Sequence, residues 1–450
     1  MRNIVTSWCL ALAAIASLAT AAVAGNRIVR ISDRVFLVLD QPGSTTRFEM
    51  IVNAGSAEEK DGRSLGLAHF LEHLVLNGRN TNNGDKAVRF FPDGLSNGST
   101  NRIATRYKHS MPARSDRSRG DLDKLFQFYA TQLRTADYDP DMAQRERKVV
   151  LQEHDLRYTN NAALSFDRKI DAVLFHGHPI AYWTIGTRAS IMALTVDDAR
   201  AFHDRWYHVN NVWFVIKGDV EPAALRTIAA RHLKPLQPGV LPQRTRLGDP
   251  DLHEEDVALS IRDSNVQEQS IYFRKLVRLP SVDPLKTYAT SLVLRNILRT
   301  KLKGSLYDTL VEKHDLAEDD PVFSIQHIND RIYEVAIDAQ PSEGVAGNAL
   351  LAAIAAYVRS LNRPGFSQHT LDRIKARLAR AQEHRDADPD RTFSRLVSWL
   401  AAGRSYEDME RFPGLLQAVT FSDVKQLASI IAGRGRIVTG ILSPVETKKQ

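Results

Sequence analysis

The chain has 450 residues, of which 43% are hydrophobic and 25% charged, and its formal net charge is +7. This is the balance of a soluble globular protein, and the length suits two domains of about 200 residues better than one core. Basic and acidic residues are interspersed, with no long basic run and no basic–aromatic interleaving, which argues against a nucleic-acid surface.

Residues 1–24 read as a leader. Arg2 gives a positive start, Trp8 to Ala21 form a short apolar stretch, and Ala22-Val23-Ala24 is a small-x-small cleavage pattern that leaves Gly25 as the new N-terminus. An uncleaved N-terminal anchor is the alternative. The only cysteine, Cys9, lies inside the leader. A disulfide scaffold, a thiol nucleophile and a Cys-ligated metal are therefore excluded from the mature chain, and any metal must use His, Asp or Glu. No later segment has the 18 or more continuous apolar residues of a membrane span. The expectation is a secreted protein, in a bacterial periplasm, with no integral span after cleavage.

The N-terminal domain is expected over residues 25–233. Val35–Leu39 and Arg47–Val52 read as strands of a hairpin, joined by a turn at Gln41-Pro42-Gly43-Ser44. The stretch Gly66 to Gly78 then carries apolar residues at 67, 70, 71, 74 and 75, the pattern of an amphipathic helix. His69 and His73 are four apart and project from one face, where two imidazoles can grip one ion. Glu72 lies beside them. This H-x-x-E-H order is that of the inverzincins. A catalytic zinc has three protein ligands and an open position, and it lowers the pKa of a water to about 7. A neighbouring carboxylate, here Glu72, can take that proton and pass it to the leaving amine. The alternative is a surface helix with two solvated histidines, but the helix is otherwise strongly apolar, and polar groups on it need a partner.

The best local source of a third ligand is Arg145 to His154, in which Glu146 and Glu153 share a helical face. Two carboxylates on one face are more often simply solvated. Farther on, Thr195 opens a helix as N-cap and the strand Val212–Ile216 follows. The Pro- and Gly-rich stretch Lys234 to Pro242 is the core of a linker over residues 234–250. The C-terminal domain, residues 251–450, repeats the plan. Val257–Ile261 with Ser270–Phe273 reads as a second hairpin, Thr420 as an N-cap, and Ile437–Ile441 as the last strand. The offset is 225 residues at both cap and strand (195 to 420, 212 to 437). The fold class is α+β: two tandem domains of similar topology, each an antiparallel-rich sheet packed with helices.

These motifs resemble the pitrilysin family of zinc peptidases. Gly66 to Gly78 is similar to its zinc helix, and Glu146 to Glu153 to its second motif, two glutamates seven apart. The resemblance implies one Zn2+ per chain held by His69, His73 and Glu153, with Glu146 orienting a ligand histidine from behind. Asn97-Gly98-Ser99-Thr100, with Thr105 and Tyr107, is similar to the family's strand beside the active site. It implies that Asn97, Ser99 and Thr100 bind an extended peptide substrate by strand addition. His178 to Trp183, Ile185-Gly186-Thr187, and Arg205-Trp206-Tyr207 through Asn210-Asn211 to Gly218-Asp219-Val220 also look like family segments. Other histidines, including His154, His176 and His178, are read as ordinary buried or solvated side chains.

Two features depart from the family pattern. Between His73 and Glu153 stand 79 residues, slightly more than usual, which reads as a small loop insertion. The second half has no H-x-x-E-H. Where the family often has an Arg and a Tyr, seven apart, that bind the substrate carbonyl, this chain has Val311 and Glu318. The implied function is a zinc-dependent endopeptidase acting on short or unfolded peptides. It would be the zinc-bearing subunit of a pair, whose homologous partner supplies the Arg/Tyr pair in a heterodimer. A homodimer is the alternative assembly, and a weakly active peptide-binding or assembly subunit the alternative function.

Overall fold

The computed structural model describes residues 27–59, 62, 64–77, 95–112, 118–243, 248–253, 255–279, 283–318 and 320–445. The leader expected over residues 1–24, the helix-bracketing Gly78 and much of the stretch read as a loop insertion lie outside them.

The first half contains strands β1 (Ile28–Ser32), β2 (Val35–Leu39), β3 (Thr46–Val52), β4 (Leu95–Thr100), β5 (Thr105–Met111) and β6 (Val212–Gly218). Its helices are α1 (Leu67–Asn77), α2 (Ser118–Arg134), α3 (Pro140–His154), α4 (Ala162–Leu174), α5 (Arg188–Ala193), α6 (Val196–Trp206) and α7 (Pro222–Leu233). The second half has β7 (Val257–Asp263), β8 (Ser270–Arg278), β9 (Val322–His327), β10 (Ile332–Ala339) and β11 (Arg436–Pro444). Its helices are α8 (Pro284–Leu298), α9 (Gly347–Ser360), α10 (Gln368–Ala387), α11 (Pro389–Ala401), α12 (Tyr406–Ala418) and α13 (Phe421–Ala432). None of the described helices is long and apolar enough to cross a membrane.

The two sheets have one topology. Their orders are β1-β2-β6-β3-β5-β4 and β7-β11-β8-β10-β9, so the second repeats the first without its opening strand. The helix starts expected at Thr195 and Thr420 are both capping boxes, closed by Asp198 and Asp423. The two expected hairpins are not formed. In each half the last strand inserts between the supposed partners: β6 pairs in parallel with β2 and antiparallel with β3, and β11 does the same with β7 and β8. The connections explain this. Residues 40–45 and 264–269 each span six positions, longer than tight hairpin turns and enough to step across one intervening strand about 4.8 Å from each neighbour. Burial explains it too. β6 buries Val212, Phe214 and Ile216 on one face and Val215 on the other, the all-apolar pattern suited to a strand inside a sheet covered on both faces.

The halves are joined by exchange. α11 of the second half lays Phe393, Leu396, Val397 and Leu400 on Phe36, Val38, Ile51 and Val215 of the first sheet. α4 of the first half lays Phe166, Ile170 and Leu174 on Tyr272, Leu276, Val438 and Leu442 of the second. Each fully buried apolar side chain contributes about 1.5–3 kcal/mol. Arg274 on β8 adds an ionic bolt at the α4 junction, donating to Asp167 of α4 at 2.8 Å and to Asp338 of β10. The linker is tied down: Asn210 donates to the Gly239 carbonyl at 2.9 Å and accepts from the Gly239 N–H at 3.0 Å.

Candidate active site

Helix α1 begins where the backbone allows it. Gly66 has φ +87, and a Cβ there would meet the Ile185 carbonyl oxygen at 2.3 Å; at Gly186, φ +84, a Cβ would meet the Leu65 oxygen at 2.4 Å. These two glycines let the loop carrying Ile185 buttress the helix start. The Glu59 carboxylate accepts from the Gly66 and Ala68 N–H groups, each at 3.0 Å, satisfying donors that a first turn leaves open. Leu67, Phe70, Leu71, Leu74 and Val75 are buried in the first-half core. With that stripe committed, His69, Glu72 and His73 line a cavity of about 1240 Å³.

Helix α3 supplies the facing carboxylates. Asp139 caps it, with Pro140 in its first turn. Arg147 donates to the Leu194 carbonyl at 2.5 Å and covers the Phe70 ring at 5.8 Å, which holds α3 against α1. Glu146 and Glu153, two turns apart, then face the histidines. Glu153 Oε2 lies 3.6 Å from His69 Nε2 and 3.6 Å from His73 Nε2. Glu146 Oε2 lies 3.1 Å from His73 Nδ1. This contact favours the tautomer that leaves Nε2 free toward Glu153. Past His154 the helix widens into a π-turn over Asp155–Thr159, and Arg157 donates to Glu153 Oε1 at 2.6 Å.

One ligand atom each from His69, His73 and Glu153 lies within 4.8 Å of the others, the only such group among the described residues. Tetrahedral zinc with bonds of about 2.0–2.2 Å needs donors roughly 3.3–3.6 Å apart. The two Glu153 contacts match that spacing. Two imidazoles and one carboxylate, with no thiolate, form the donor set of a catalytic zinc rather than a closed structural site. The three side chains thus fit the metal expected from the sequence.

The metal-free electrostatics bear the mark of burial. Burial and the neighbouring His73 charge push His69 down to about 4. His73 is also disfavoured by burial, but bonds to Glu146 and Glu153 and the charge of Glu72 overcome it and raise the group to about 9. Burial pushes Glu72 up to about 7, against the hydrogen bond from Thr100. Glu153 is held below its usual range, chiefly by its bond to His73. His69 Nδ1 is buried with no hydrogen-bond partner among the described residues.

The third wall is β4. It pairs only with β5, so its outer edge has no strand partner among the described residues. Thr100 donates its hydroxyl to Glu72 Oε2 at 2.6 Å, so its side chain is engaged with Glu72. A Cβ on Gly98 would lie 2.1 Å from Glu72 Oε1, so glycine is needed for Glu72 to approach the strand. Asn97 and Ser99 also line the cavity. Val311 and Glu318 do not.

Sequence reasoning missed the Thr100–Glu72 bond, Gly98 as spacer, the Glu59 cap and Arg157. It also missed Ser398, Ala401 and Ala402, by which α11 closes the cavity from the second half. Advance signals existed for some of these: the S/T-rich stretch on β4, the i,i+4 spacing of Glu153 and Arg157, and Glu59 seven residues before Gly66; the α11 contacts join residues far apart in sequence. His178 is structural: it accepts from the Ile180 N–H at 3.2 Å and reaches the Gly248 carbonyl at 2.9 Å.

Comparison with known proteins bears on the family and the fold. Residues 34–188 match the insulinase family, peptidase family M16, and residues 193–378 match the peptidase M16 inactive domain. The chain is 26% identical over 347 residues to the zinc protease PqqE of Helicobacter pylori, spanning 76% of this chain and 75% of that one. The crystal structure of a protease from Helicobacter pylori superposes with a TM-score of 0.74 at 20% identity, covering 93% of this chain and 99% of that one. The first half of the periplasmic protease PqqL from Escherichia coli gives 0.76 at 17% identity, covering 93% and 92%. Of the full PqqL structure the chain spans 47%, so it corresponds to about half of that protein. Likeness at such identities is one of fold; together with the two matched domains, it establishes that the chain belongs to peptidase family M16, the pitrilysin family.

Proposed function

We propose that this chain is a zinc-dependent endopeptidase and the metal-bearing half of a two-part enzyme. The observation that carries the reading is the convergence of His69, His73 and Glu153 on one point, with Glu72 beside them, in a large cavity bordered by a strand edge that has no strand partner among the described residues. A zinc ion held by these three residues supplies Lewis acidity, which makes a water acidic near pH 7 and polarises a peptide carbonyl. Glu72 holds and moves the proton: burial sets it near neutrality, and Thr100 fixes Oε2, so it can accept a proton and return one to the leaving amine. Glu146 orients His73, and Arg157 holds the second oxygen of Glu153. β4 offers its backbone N–H and C=O groups to an extended peptide, with Asn97 and Ser99 on its outer face.

Val311 and Glu318, which stand where the resemblance expects an Arg and a Tyr, are not among the residues that line the cavity. The correspondence to half of PqqL supports a second, similar chain completing the cavity. Export is part of the reading, supported by the leader pattern in residues 1–24 and by the periplasmic description of PqqL. The test is hydrolysis of an unfolded peptide by material purified from its native source. Cleavage should stop on chelation, return with zinc, and fall by about 10²–10⁴ in Glu72→Gln without loss of metal. Undiminished turnover in Glu72→Gln would leave a peptide-binding or assembly subunit as the better description.

A further inference from the structure

The cavity borders the edge of β4 that has no strand partner among the described residues, and residues on both faces of the strand line it. Gly98 and Thr100 face Glu72 on the side of α1. On the opposite face of the sheet, β5 pairs Lys108 with Asn97 and Arg106 with Ser99, and both cations line the cavity. Across from them, the last turn of α11 offers only small side chains, Ser398, Ala401 and Ala402, and leaves room.

The charges on this face do not cancel. Arg106 is held by the buried carboxylate of Glu49. Arg102, in the turn beyond β4, lies 3.7 Å from Asp171. Lys108 is half-buried beside Arg106 and makes no ion pair among the described residues. Among the described residues, Arg106 and Arg102 each have a carboxylate within 4.0 Å, whereas Lys108 feels Glu49 and Glu72 only through longer-range attraction. A cation kept partly from water without a counter-ion calls for an anionic partner. Alternate residues along a strand lie about 6.6–6.8 Å apart, and alternate side chains of a peptide added to β4 keep the same spacing.

We infer that this face selects an acidic substrate: Lys108, with Arg106 beside it, pairs with an Asp or Glu side chain on the bound peptide. Because Asn97 stands beside Lys108 and Thr100 beside Glu72, the selected residue lies within about three positions of the bond cut. The location relative to a cut bond rests on the peptidase reading; the charge selection does not.

The test uses the zinc-loaded Glu72→Gln chain and three fluorescein-labelled decapeptides with Glu, Gln or Lys at alternate positions. The Glu peptide should bind about tenfold tighter than the Gln peptide at low ionic strength. The preference should shrink in about 0.5 M salt. Adding Lys108→Glu should invert it, and Lys108→Gln should abolish it, with unchanged circular dichroism. Equal affinities, no binding, or a preference that survives Lys108→Glu would overturn the inference. The same peptides offered to the unsubstituted enzyme purified from its native source, with any second chain it carries, separate the two claims. Equal cleavage of the Gln and Glu peptides sinks the selection and keeps the peptidase. Selective binding of the Glu peptide without cleavage keeps the selection and sinks the peptidase.

Discussion

In the first half, α1 turns His69, Glu72 and His73 toward a cavity, and α3 meets them with Glu146 and Glu153. In the second half, α8 and α10 stand in the corresponding layer and bring Val293, Leu294 and Ile297 against Leu371, Ile374 and Leu378. The 225-residue offset that relates the caps also carries Glu146 to Leu371 and Glu153 to Leu378. The second half shows that the scaffold closes with apolar residues alone. The polar set of the first half is therefore not demanded by folding. It opposes folding, as His69 pushed down to about 4 and Glu72 pushed up to about 7 both record. Such a set persists where a ligand or a reaction uses it.

The junctions differ in the same instructive way. α11 docks on the first sheet through apolar side chains, with Arg47 and Lys217 reaching Asp390 at its rim, at 3.2 and 3.0 Å. α4 docks on the second sheet around Arg274, which is buried among carboxylates. If the ionic junction is the more exacting one, Arg274→Met should cost about 3–5 kcal/mol, because it leaves Asp167, Asp338 and Glu334 without their cation. Denaturant unfolding measures this. A loss under about 1 kcal/mol would mean that apolar packing carries both junctions alike.

A smaller effect tests the layer itself. Glu146→Leu installs the residue of the second half behind His73. Zinc affinity, read by competition with a chelator, should fall about 10–100-fold while the metal-free fold is kept. Unchanged affinity would remove Glu146 from the site.

The smallest effect concerns Asp171, between the cavity and the α4 junction. Burial, Glu334 and Asp167 push it up to about 7, against Arg102 and Arg274. A carboxyl raised in the folded state binds its proton more tightly there than in the unfolded chain. Its stabilising share is complete below about pH 4 and is lost as pH rises toward 7. Thermal unfolding should show Asp171→Asn gaining on the parent chain by about 1 kcal/mol between pH 5 and 8. A parallel pair of pH curves would contradict this.

Local signals were legible in the sequence because local physics sets them. The four-residue spacing of His69 and His73 dictates a shared face, and Thr195 and Thr420 announce their helices through acids three positions on. Sheet order was not legible. β2 and β3 look like a hairpin until β6, some 160 residues later, inserts between them, and nothing near residue 40 reports that event. Glu153 is similar: its helical face can be read, but what it faces depends on Arg147 finding Leu194 and Phe70. The walls contributed by α11 and the spacer role of Gly98 exist only once distant segments meet.

The first half alone is expected to hold one metal. Elemental analysis of the intact chain from its native source tests it most directly, beside His73→Leu and Glu72→Gln. One zinc per chain is expected, lost in His73→Leu and kept in Glu72→Gln. Zinc retained in full by His73→Leu, or no zinc in the unsubstituted chain, would contradict it.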